Sequence, residues 1–178
     1  MQGLSKGEVA MIGIFYGSTM GATESIAEKI REIIGRGKTK LYDVASTPVD
    51  TLNDYNLIIF GTATWGEGGL PDDWNAFISG LDQVDLSGKK VALFGLGDQD
   101  LFPDTFVDSI GILYEKVSGR GATVVGSWPV RGYRFDESRA VKNGAFVGLA
   151  IDQENQSDVT DERIRKWVDQ VIAEFGRK

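Results

Sequence analysis

Ser18-Thr19-Met20-Gly21-Ala22-Thr23 lies between an apolar run and a helical pattern, and this stretch decides the fold. The apolar run covers residues 9–16, and apolar residues then recur with helical spacing over 26–34. The pattern predicts a loop that joins a buried strand to the N-terminus of a helix. Such a loop combines unpaired backbone N–H groups with the positive end of the helix dipole, and both favour a bound phosphate.

The side chains of this loop favour phosphate binding through hydrogen bonds rather than ion pairs. Ser18, Thr19 and Thr23 carry hydroxyl groups, whereas residues 17–23 contain no Lys or Arg. A phosphate would therefore be held by backbone N–H groups, hydroxyls and the helix dipole. The same residues also fit an ordinary strand-to-helix turn with a Ser or Thr cap, so that alternative stays open.

The composition excludes several kinds of catalytic and metal site. The chain has 178 residues, of which 42% are hydrophobic, and this suits one globular domain with a sizeable core. It contains no Cys and no His. Thiolate catalysis, disulfides, zinc–thiolate sites, Ser–His triads and histidine metal sites are therefore excluded. We predict neither a catalytic residue nor a metal site.

The net charge of −7 argues against binding to nucleic acid or to an anionic membrane, because both attract basic surfaces. An acidic surface suits a basic protein partner, although solubility alone would also account for it. The sequence has no pattern typical of a signal peptide or a membrane span, so we expect a cytoplasmic protein. Residues 1–8 are polar and glycine-rich and are predicted to form a flexible arm.

Strand and helix patterns alternate along the rest of the chain. Further strands are predicted over 39–44, 57–61, 90–95 and 122–126, and further helices after Pro71, from Pro103-Asp104 and from near Thr160. Trp74 and Trp167 fall on the apolar stripes of two helices and are predicted to be core residues. The alternation predicts an α/β protein with a doubly wound parallel sheet between two layers of helices.

Two more loops carry aromatic residues at the edge where ligands bind such sheets, beyond the carboxyl ends of the strands. Residues 62–71 place Trp65 among glycines directly after a buried strand, where a flat ring can stack on a ligand. Residues 95–102 combine two glycines, which allow close approach of the backbone, with Phe102 at the end. One phosphate loop and two aromatic loops at one edge indicate a flat heteroaromatic ring with a phosphate tail.

Four motifs in this order resemble those of flavodoxins of the long-chain type. They are Gly17-Ser18-Thr19-Met20-Gly21-Ala22-Thr23-Glu24, Gly61-Thr62-Ala63-Thr64-Trp65-Gly66-Glu67-Gly68, Ala92-Leu93-Phe94-Gly95-Leu96-Gly97-Asp98-Gln99, and Phe146-Val147-Gly148-Leu149-Ala150-Ile151-Asp152 with Asn155-Gln156. The resemblance implies one flavodoxin-like domain over 9–178, a three-layer sandwich with a five-stranded parallel sheet of order 2-1-3-4-5. It also implies that 128–146 is an insertion that splits the fifth strand.

The resemblance to flavodoxins implies a cofactor, an activity and partners as well. The cofactor would be non-covalently bound FMN, and the protein a monomeric, low-potential one-electron carrier without a catalytic reaction of its own. Its partners would be basic faces of a reductase and of acceptor redox enzymes. The alternative is an FMN-dependent NAD(P)H:quinone oxidoreductase on the same fold.

The resemblance also implies a role for individual residues. Residues 18–23 would hold the phosphate, Trp65 would stack on the inner face of the flavin ring and Phe102 on the outer face. Backbone groups of 96–98 would bond the pyrimidine edge, and the peptide between Gly66 and Glu67 would face flavin N5. The complete set of predicted FMN-binding residues is Ser18, Thr19, Met20, Gly21, Ala22, Thr23, Thr62, Ala63, Thr64, Trp65, Gly66, Glu67, Gly95, Leu96, Gly97, Asp98 and Phe102.

Three positions depart from the flavodoxin pattern. Met20 stands where the family usually has Thr or Ser, which removes one phosphate donor, so we expect weaker FMN binding and not its loss. Phe102 replaces the usual Tyr, and Gly69 replaces a Glu common there.

Acidic residues on the ring loops bear on the redox potential. We expect Glu67, Asp98 and Asp100, with no Lys or Arg near them, to disfavour the anionic, fully reduced flavin and so lower its potential.

Two other phosphate-binding or phosphorylated folds do not fit the sequence. A phospho-receiver module needs an acidic pair after the first strand and an Asp after the third, where this chain has Gly17-Ser18 and Thr62-Ala63. A P-loop needs a Lys before its final Ser or Thr, and Gly21-Ala22-Thr23 has none.

Overall fold

The computed structural model describes residues 10–17, 21–64 and 68–177. Its strands are β1 (Ile12–Tyr16), β2 (Thr39–Asp43), β3 (Leu57–Ala63), β4 (Lys90–Leu96), β5 (Thr123–Val125), β6 (Trp128–Pro129), β7 (Val141–Lys142), β8 (Ala145–Phe146) and β9 (Leu149–Ile151). Its α-helices are α1 (Ala22–Ile34), α2 (Asp72–Gly80), α3 (Asp108–Gly119) and α4 (Gln153–Phe175). The predicted flexible arm, residues 1–8, lies outside the described residues.

The main sheet has the strand order β2-β1-β3-β4-β5, and all of its pairings are parallel. This confirms the predicted α/β architecture and the order 2-1-3-4-5. The central strands β1, β3 and β4 are almost continuously apolar and buried, because helices cover both faces of the sheet.

The edge of the sheet beyond β4 is shared by two short strands. β5 pairs with the first half of β4, where Ala92 lies opposite Val125, and β9 pairs with the second half, where Phe94 lies opposite Leu149. The chain between them forms a small antiparallel sheet of order β6-β8-β7. This small sheet consists of the residues that the resemblance assigned to the insertion.

The last helix begins earlier than the sequence predicted. α4 starts at Gln153 rather than near Thr160, because the Asp152 carboxylate caps it by accepting a hydrogen bond from the Asn155 N–H at 3.1 Å. Gln156 has non-helical backbone angles (φ −136°, ψ 37°) and kinks the helix after its first turn. The polar first turn and the kink explain why the apolar periodicity appears only further along.

The third helix begins later than predicted. Pro103-Asp104 was expected to start it, but residues 103–107 form turns and α3 begins at Asp108. Val107 adopts the left-handed conformation (φ 48°), which is unfavourable for a β-branched residue and interrupts any helix at this point.

The predicted core residues are buried as expected. Trp74 and Trp167 are both fully buried, and each indole N–H donates to a backbone carbonyl, Gly61 O at 2.9 Å and Gly126 O at 2.8 Å. Within the described ranges, no helix combines the length and the apolar character that crossing a membrane would require.

Candidate functional site

The three loops singled out in the sequence leave the sheet at the same edge. Tyr16 at the end of β1 lies opposite Gly61 in β3, and Ala63 at the end of β3 lies opposite Leu96 at the end of β4. Because neighbouring parallel strands end at the same level, the loops that follow them meet beyond their carboxyl ends. The fold therefore assembles one candidate site from three separate segments.

The first loop leads directly into the start of α1. Gly17 donates its N–H to Gly61 O at 3.1 Å and lies so close to the Trp74 indole that a Cβ would be 2.6 Å from a ring atom. Ser18, Thr19 and Met20 lie outside the described residues. The chain is described again from Gly21, which precedes the helix in the left-handed conformation (φ 83°), and no described residue lies within 4 Å of where its Cβ would be.

The N-terminus of α1 has no side-chain cap among the described residues. Gly21 occupies the cap position and offers no side-chain acceptor, so the first backbone N–H groups of the helix depend on other partners. Ala22 is exposed and Thr23 is buried at this helix start. The arrangement suits an anion that accepts hydrogen bonds from the helix N-terminus.

A tyrosine and a glutamate form a pair beside this helix start. The Tyr16 hydroxyl donates a hydrogen bond to Glu24 Oε1 at 3.1 Å. Burial first, and then the hydrogen bond to Glu24, raise the pKa of Tyr16 to about 12, so the phenol stays protonated at neutral pH.

The first residues of the second loop are buried or half-buried, and Thr64 forms hydrogen bonds with the rest of the protein. Thr62 is fully buried in β3, and Ala63 and Thr64 are half-buried. The Thr64 hydroxyl shares a hydrogen bond with the Ser109 hydroxyl at 2.8 Å and accepts the Ser109 N–H at 3.2 Å. Thr64 thus ties the start of this loop to the first turn of α3. Trp65, Gly66 and Glu67 lie outside the described residues.

The far end of the second loop passes close to a buried carboxylate. Gly68 is left-handed (φ 106°), and a Cβ on it would lie 2.8 Å from Asp108 Oδ2. Burial raises the pKa of Asp108 above its ordinary value, although a hydrogen bond from the Arg139 N–H at 2.8 Å opposes the shift. Sequence reasoning missed Asp108, because the helix that it begins was expected to start at Pro103-Asp104.

The third loop contains a backbone donor, the Asp98 N–H, that has no partner among the described residues. Gly95 is buried in β4, while Leu96 and Gly97 are half-buried. Leu96 O accepts the Thr64 N–H at 3.0 Å, and the Gly97 N–H donates to Ile151 O at 2.9 Å. The Asp98 N–H forms no hydrogen bond with any residue that the structure describes. This N–H can therefore bond a ligand.

The Asp98 side chain shapes the loop and remains charged. Its Oδ1 accepts the N–H groups of Asp100 at 3.2 Å and Leu101 at 3.0 Å, and the Asn155 amide at 2.8 Å. Partial burial alone would raise the pKa of Asp98, but these hydrogen bonds outweigh it and hold the pKa below its ordinary value. Phe102 ends the loop with 38% of its surface exposed, so its ring is accessible for stacking.

One electrostatic prediction is wrong. Asp100 was expected to have no basic residue near it, but Arg134 lies 3.5 Å from its carboxylate. Both side chains are largely exposed, so the pair is weak, yet it reduces the negative charge at this rim. The arginine comes from the segment between β6 and β7, 34 residues further along the chain, and the spacing gave no signal of this contact.

Sequence reasoning also missed the residues that hold the third loop in place. Gln99 and Asp152 are buried and joined by two hydrogen bonds, and Asn155 connects the same carboxylate to Asp98. Asp152 and Asn155 belonged to a quoted motif, but no role followed from the sequence. Their contacts span more than fifty residues and become visible only in the fold.

The described part of the site offers groups that can bind a ligand. It offers an uncapped helix start, a free backbone N–H at Asp98 and an accessible aromatic ring at Phe102. Across the described ranges, no cluster of three acidic side chains is arranged to hold a metal ion. These features can bind the phosphate and the ring of a planar, phosphorylated ligand.

Known proteins share both the sequence and the fold of this chain. The Flavodoxin family model matches residues 14–167. A flavodoxin from Nostoc sp. is 52% identical over 165 residues, which cover 93% of this chain and 97% of that protein. A flavodoxin from Synechococcus elongatus is 48% identical over 94% of this chain and 99% of its own length. The crystal structure of Fusobacterium nucleatum flavodoxin bound to flavin mononucleotide has a TM-score of 0.89 and 33% identity, covering 94% of this chain and 99% of that one. This chain belongs to the flavodoxin family.

Proposed function

We propose that this protein is a low-potential one-electron carrier that binds FMN non-covalently at the carboxyl edge of its sheet. The observation that carries the proposal is that a helix start without a side-chain cap among the described residues and an accessible aromatic ring lie at the same edge of a flavodoxin fold. Support comes from family membership and from the Fusobacterium nucleatum flavodoxin, whose structure contains flavin mononucleotide.

The phosphate end of FMN fits the start of α1. Among the described residues, none lies within 4 Å of where a Gly21 Cβ would be and none caps α1 with a side chain, which favours access of a phosphate to the helix N-terminus. The hydroxyls of Ser18 and Thr19, the Met20 backbone and the buried Thr23 complete the proposed cradle. No basic side chain belongs to residues 17–23, so hydrogen bonds and the helix dipole supply the binding energy.

The ring end of FMN fits between the second and third loops. Phe102 would cover the outer face of the ring, and Trp65 is the proposed partner on the inner face. The Asp98 N–H is the proposed donor to the pyrimidine edge, because the Gly97 N–H is already bonded to Ile151 O. The peptide between Gly66 and Glu67 is the proposed neighbour of flavin N5.

Bound FMN supplies reversible one-electron redox chemistry, and the protein side chains set its potential. The Asp98 carboxylate stays ionised because hydrogen bonds lower its pKa, so it opposes any added negative charge on the ring. Stacked aromatic rings exclude water and strengthen this repulsion. Asp100 contributes less than the sequence suggested, since Arg134 lies beside it.

The proposed partners are redox proteins with basic faces, a reductase that donates electrons and enzymes that accept them. The net charge of −7 favours encounter with such faces and would make the association depend on salt. No reaction of its own is assigned to the protein. The monomeric state and the cytoplasmic location expected from the sequence remain predictions.

Reconstitution of the apoprotein with FMN tests this function. We expect a yellow 1:1 complex in a fluorescence titration, and no rapid steady-state oxidation of NAD(P)H by the pure protein with or without a quinone. Absence of FMN binding would contradict the proposal. Fast NAD(P)H turnover would instead support the oxidoreductase alternative.

A further inference from the structure

A buried carboxylate joins the third loop to the start of α4. Asp152 is only 1% exposed, and four N–H groups donate to it. Its Oδ2 accepts the Gln99 N–H at 3.0 Å, Gln99 Nε2 at 2.8 Å and Asn155 Nδ2 at 2.9 Å, and its Oδ1 accepts the Asn155 N–H at 3.1 Å. The carboxylate therefore caps a helix and binds a distant loop at the same time.

Gln99 is the residue of the loop that Asp152 binds. It is fully buried, and two of its N–H donors, one from the backbone and one from the side chain, bond the same oxygen of Asp152. Its side-chain oxygen, Oε1, accepts a hydrogen bond from the Arg134 N–H. Gln99 thus links the loop to α4 on one side and to the segment between β6 and β7 on the other, so its backbone has little freedom to move.

Asn155 adds a second connection to the same loop. Its side-chain amide donates both to Asp152 Oδ2 at 2.9 Å and to Asp98 Oδ1 at 2.8 Å. Asp98 Oδ1 in turn accepts the backbone N–H groups of Asp100 and Leu101 and so shapes the turn that leads to Phe102. The position of Asn155 therefore affects the backbone that precedes the stacking ring.

The first turn of α4 forms a local unit around Asp152. Gln156 has non-helical backbone angles, so the turn at 153–155 is not simply continued from the long helix behind it. Asp152 holds this turn through two hydrogen bonds, in which its carboxylate accepts the Asn155 N–H at 3.1 Å and its carbonyl accepts the Gln156 N–H at 2.9 Å. A change at Asp152 is therefore expected to disturb the turn that carries Asn155.

We propose that Asp152 is a positioning residue for the flavin ring, acting through Gln99 and Asn155 on the loop at residues 97–102. The inference rests on the proposed function, since that loop is the proposed site of the ring. An ionised carboxylate only accepts hydrogen bonds, and it matches four N–H donors. An asparagine at 152 would direct an NH2 group at some of those donors and leave buried groups unpaired.

The test compares FMN with riboflavin, which has the same ring and no phosphate. In Asp152→Asn we expect the dissociation constants of both flavins to rise by about tenfold or more and by the same factor, because only the ring end is disturbed. Fluorescence titration of the reconstituted apoprotein measures both constants.

Two further variants separate positioning from general loss of stability. Val168→Ala removes a buried side chain of α4 beyond the kink, so it should lower the melting temperature and leave both dissociation constants unchanged. Asn155→Ala removes an exposed amide and should fold, with a smaller and again equal loss for the two flavins. If Asp152→Asn does not fold, Asn155→Ala serves as the test of the positioning role.

The outcomes distinguish this inference from the proposed function. Unchanged affinities in Asp152→Asn, or in Asn155→Ala where the first variant does not fold, would overturn the positioning role. A loss confined to FMN, or an equal loss in Val168→Ala, would overturn it as well. Failure of the unaltered protein to bind FMN would instead reject the proposed function.

Discussion

The two ends of the proposed FMN site are built in different ways. The phosphate end is local, because residues 17–23 supply both the loop and the helix start. The ring end is assembled from distant parts of the chain. Its loop at 97–102 is held by Asp152, which caps α4, by Asn155 of α4 and by the Arg134 N–H.

This difference explains which half of the site a sequence can reveal. A local site leaves its pattern in consecutive residues, whereas a site held by long-range contacts depends on the completed fold. We therefore expect changes in 17–23 to affect only recognition of the phosphate. Changes around residues 97–102 should affect FMN and riboflavin alike.

The largest expected effect is the loss of affinity when the ligand lacks the phosphate, as riboflavin does. Two or more hydrogen bonds to a charged phosphate are worth roughly 1.5–3 kcal/mol each, so riboflavin should bind at least about 100-fold more weakly than FMN. Parallel fluorescence titrations of the apoprotein measure the ratio. Equal affinities would show that residues 17–23 do not bind the phosphate.

The next effect concerns the stacking ring. Phe102→Ala should weaken FMN and riboflavin equally, by roughly 1–3 kcal/mol, a typical value for an aromatic side chain stacked on a base. Leu101→Ala is the matched control, because this neighbour is 68% exposed and belongs to the same turn. If the control lost as much affinity as Phe102→Ala, stacking would not be the cause.

A smaller effect is expected at the unusual residue of the phosphate end. Met20→Thr restores a hydroxyl donor, so FMN should bind more tightly by roughly 0.5–1.5 kcal/mol while riboflavin binding stays the same. The same pair of titrations measures it. Weaker FMN binding in this variant would mean that the Met20 side chain itself contributes to the site.

The smallest effect concerns the buried carboxylate at the ring end. Because the pKa of Asp108 is raised in the folded protein, its ionisation lowers stability as the pH rises from its unfolded pKa through its folded pKa. Asp108→Asn removes this penalty and can still accept the Arg139 N–H. Its stability relative to the parent should therefore increase with pH over that window and then level off.

Urea unfolding of the apoprotein at a series of pH values measures this difference. The window begins near the unfolded Asp pKa of about 3.9. A stability difference that does not change with pH would show that Asp108 is not disfavoured when ionised.

The fold was largely predictable because its signals are local. Apolar runs and their alternation with helices predicted the doubly wound parallel sheet, and the helical stripes placed Trp74 and Trp167 in the core. The strand order came from the resemblance to flavodoxins and not from these patterns. The errors lie at helix starts. Because Val107 is left-handed, α3 begins at Asp108 and not at Pro103-Asp104. Because Asp152 caps a first turn that ends at the Gln156 kink, α4 begins before Thr160, at Gln153. Neither conformation follows from residue spacing.

The candidate site was predictable only as a set of loops. Side-chain contacts between distant segments, such as Asp100 with Arg134 and Gln99 with Asp152, depend on how β9 and α4 approach β4. Asp108 was hidden for a similar reason, since its proximity to Gly68 requires the folded loop. The roles of Ser18, Thr19, Met20, Trp65, Gly66 and Glu67 stay predictions, because these residues lie outside the described ranges.

The most direct test of the central claim is an anaerobic redox titration of the FMN-loaded protein, followed by absorbance. Transfer of one electron at a time predicts two separate one-electron steps and a yellow protein that turns blue at half reduction. The second step should lie at the lower potential, because the ionised Asp98 opposes further negative charge on the ring. A single two-electron step without the blue intermediate colour would contradict the account.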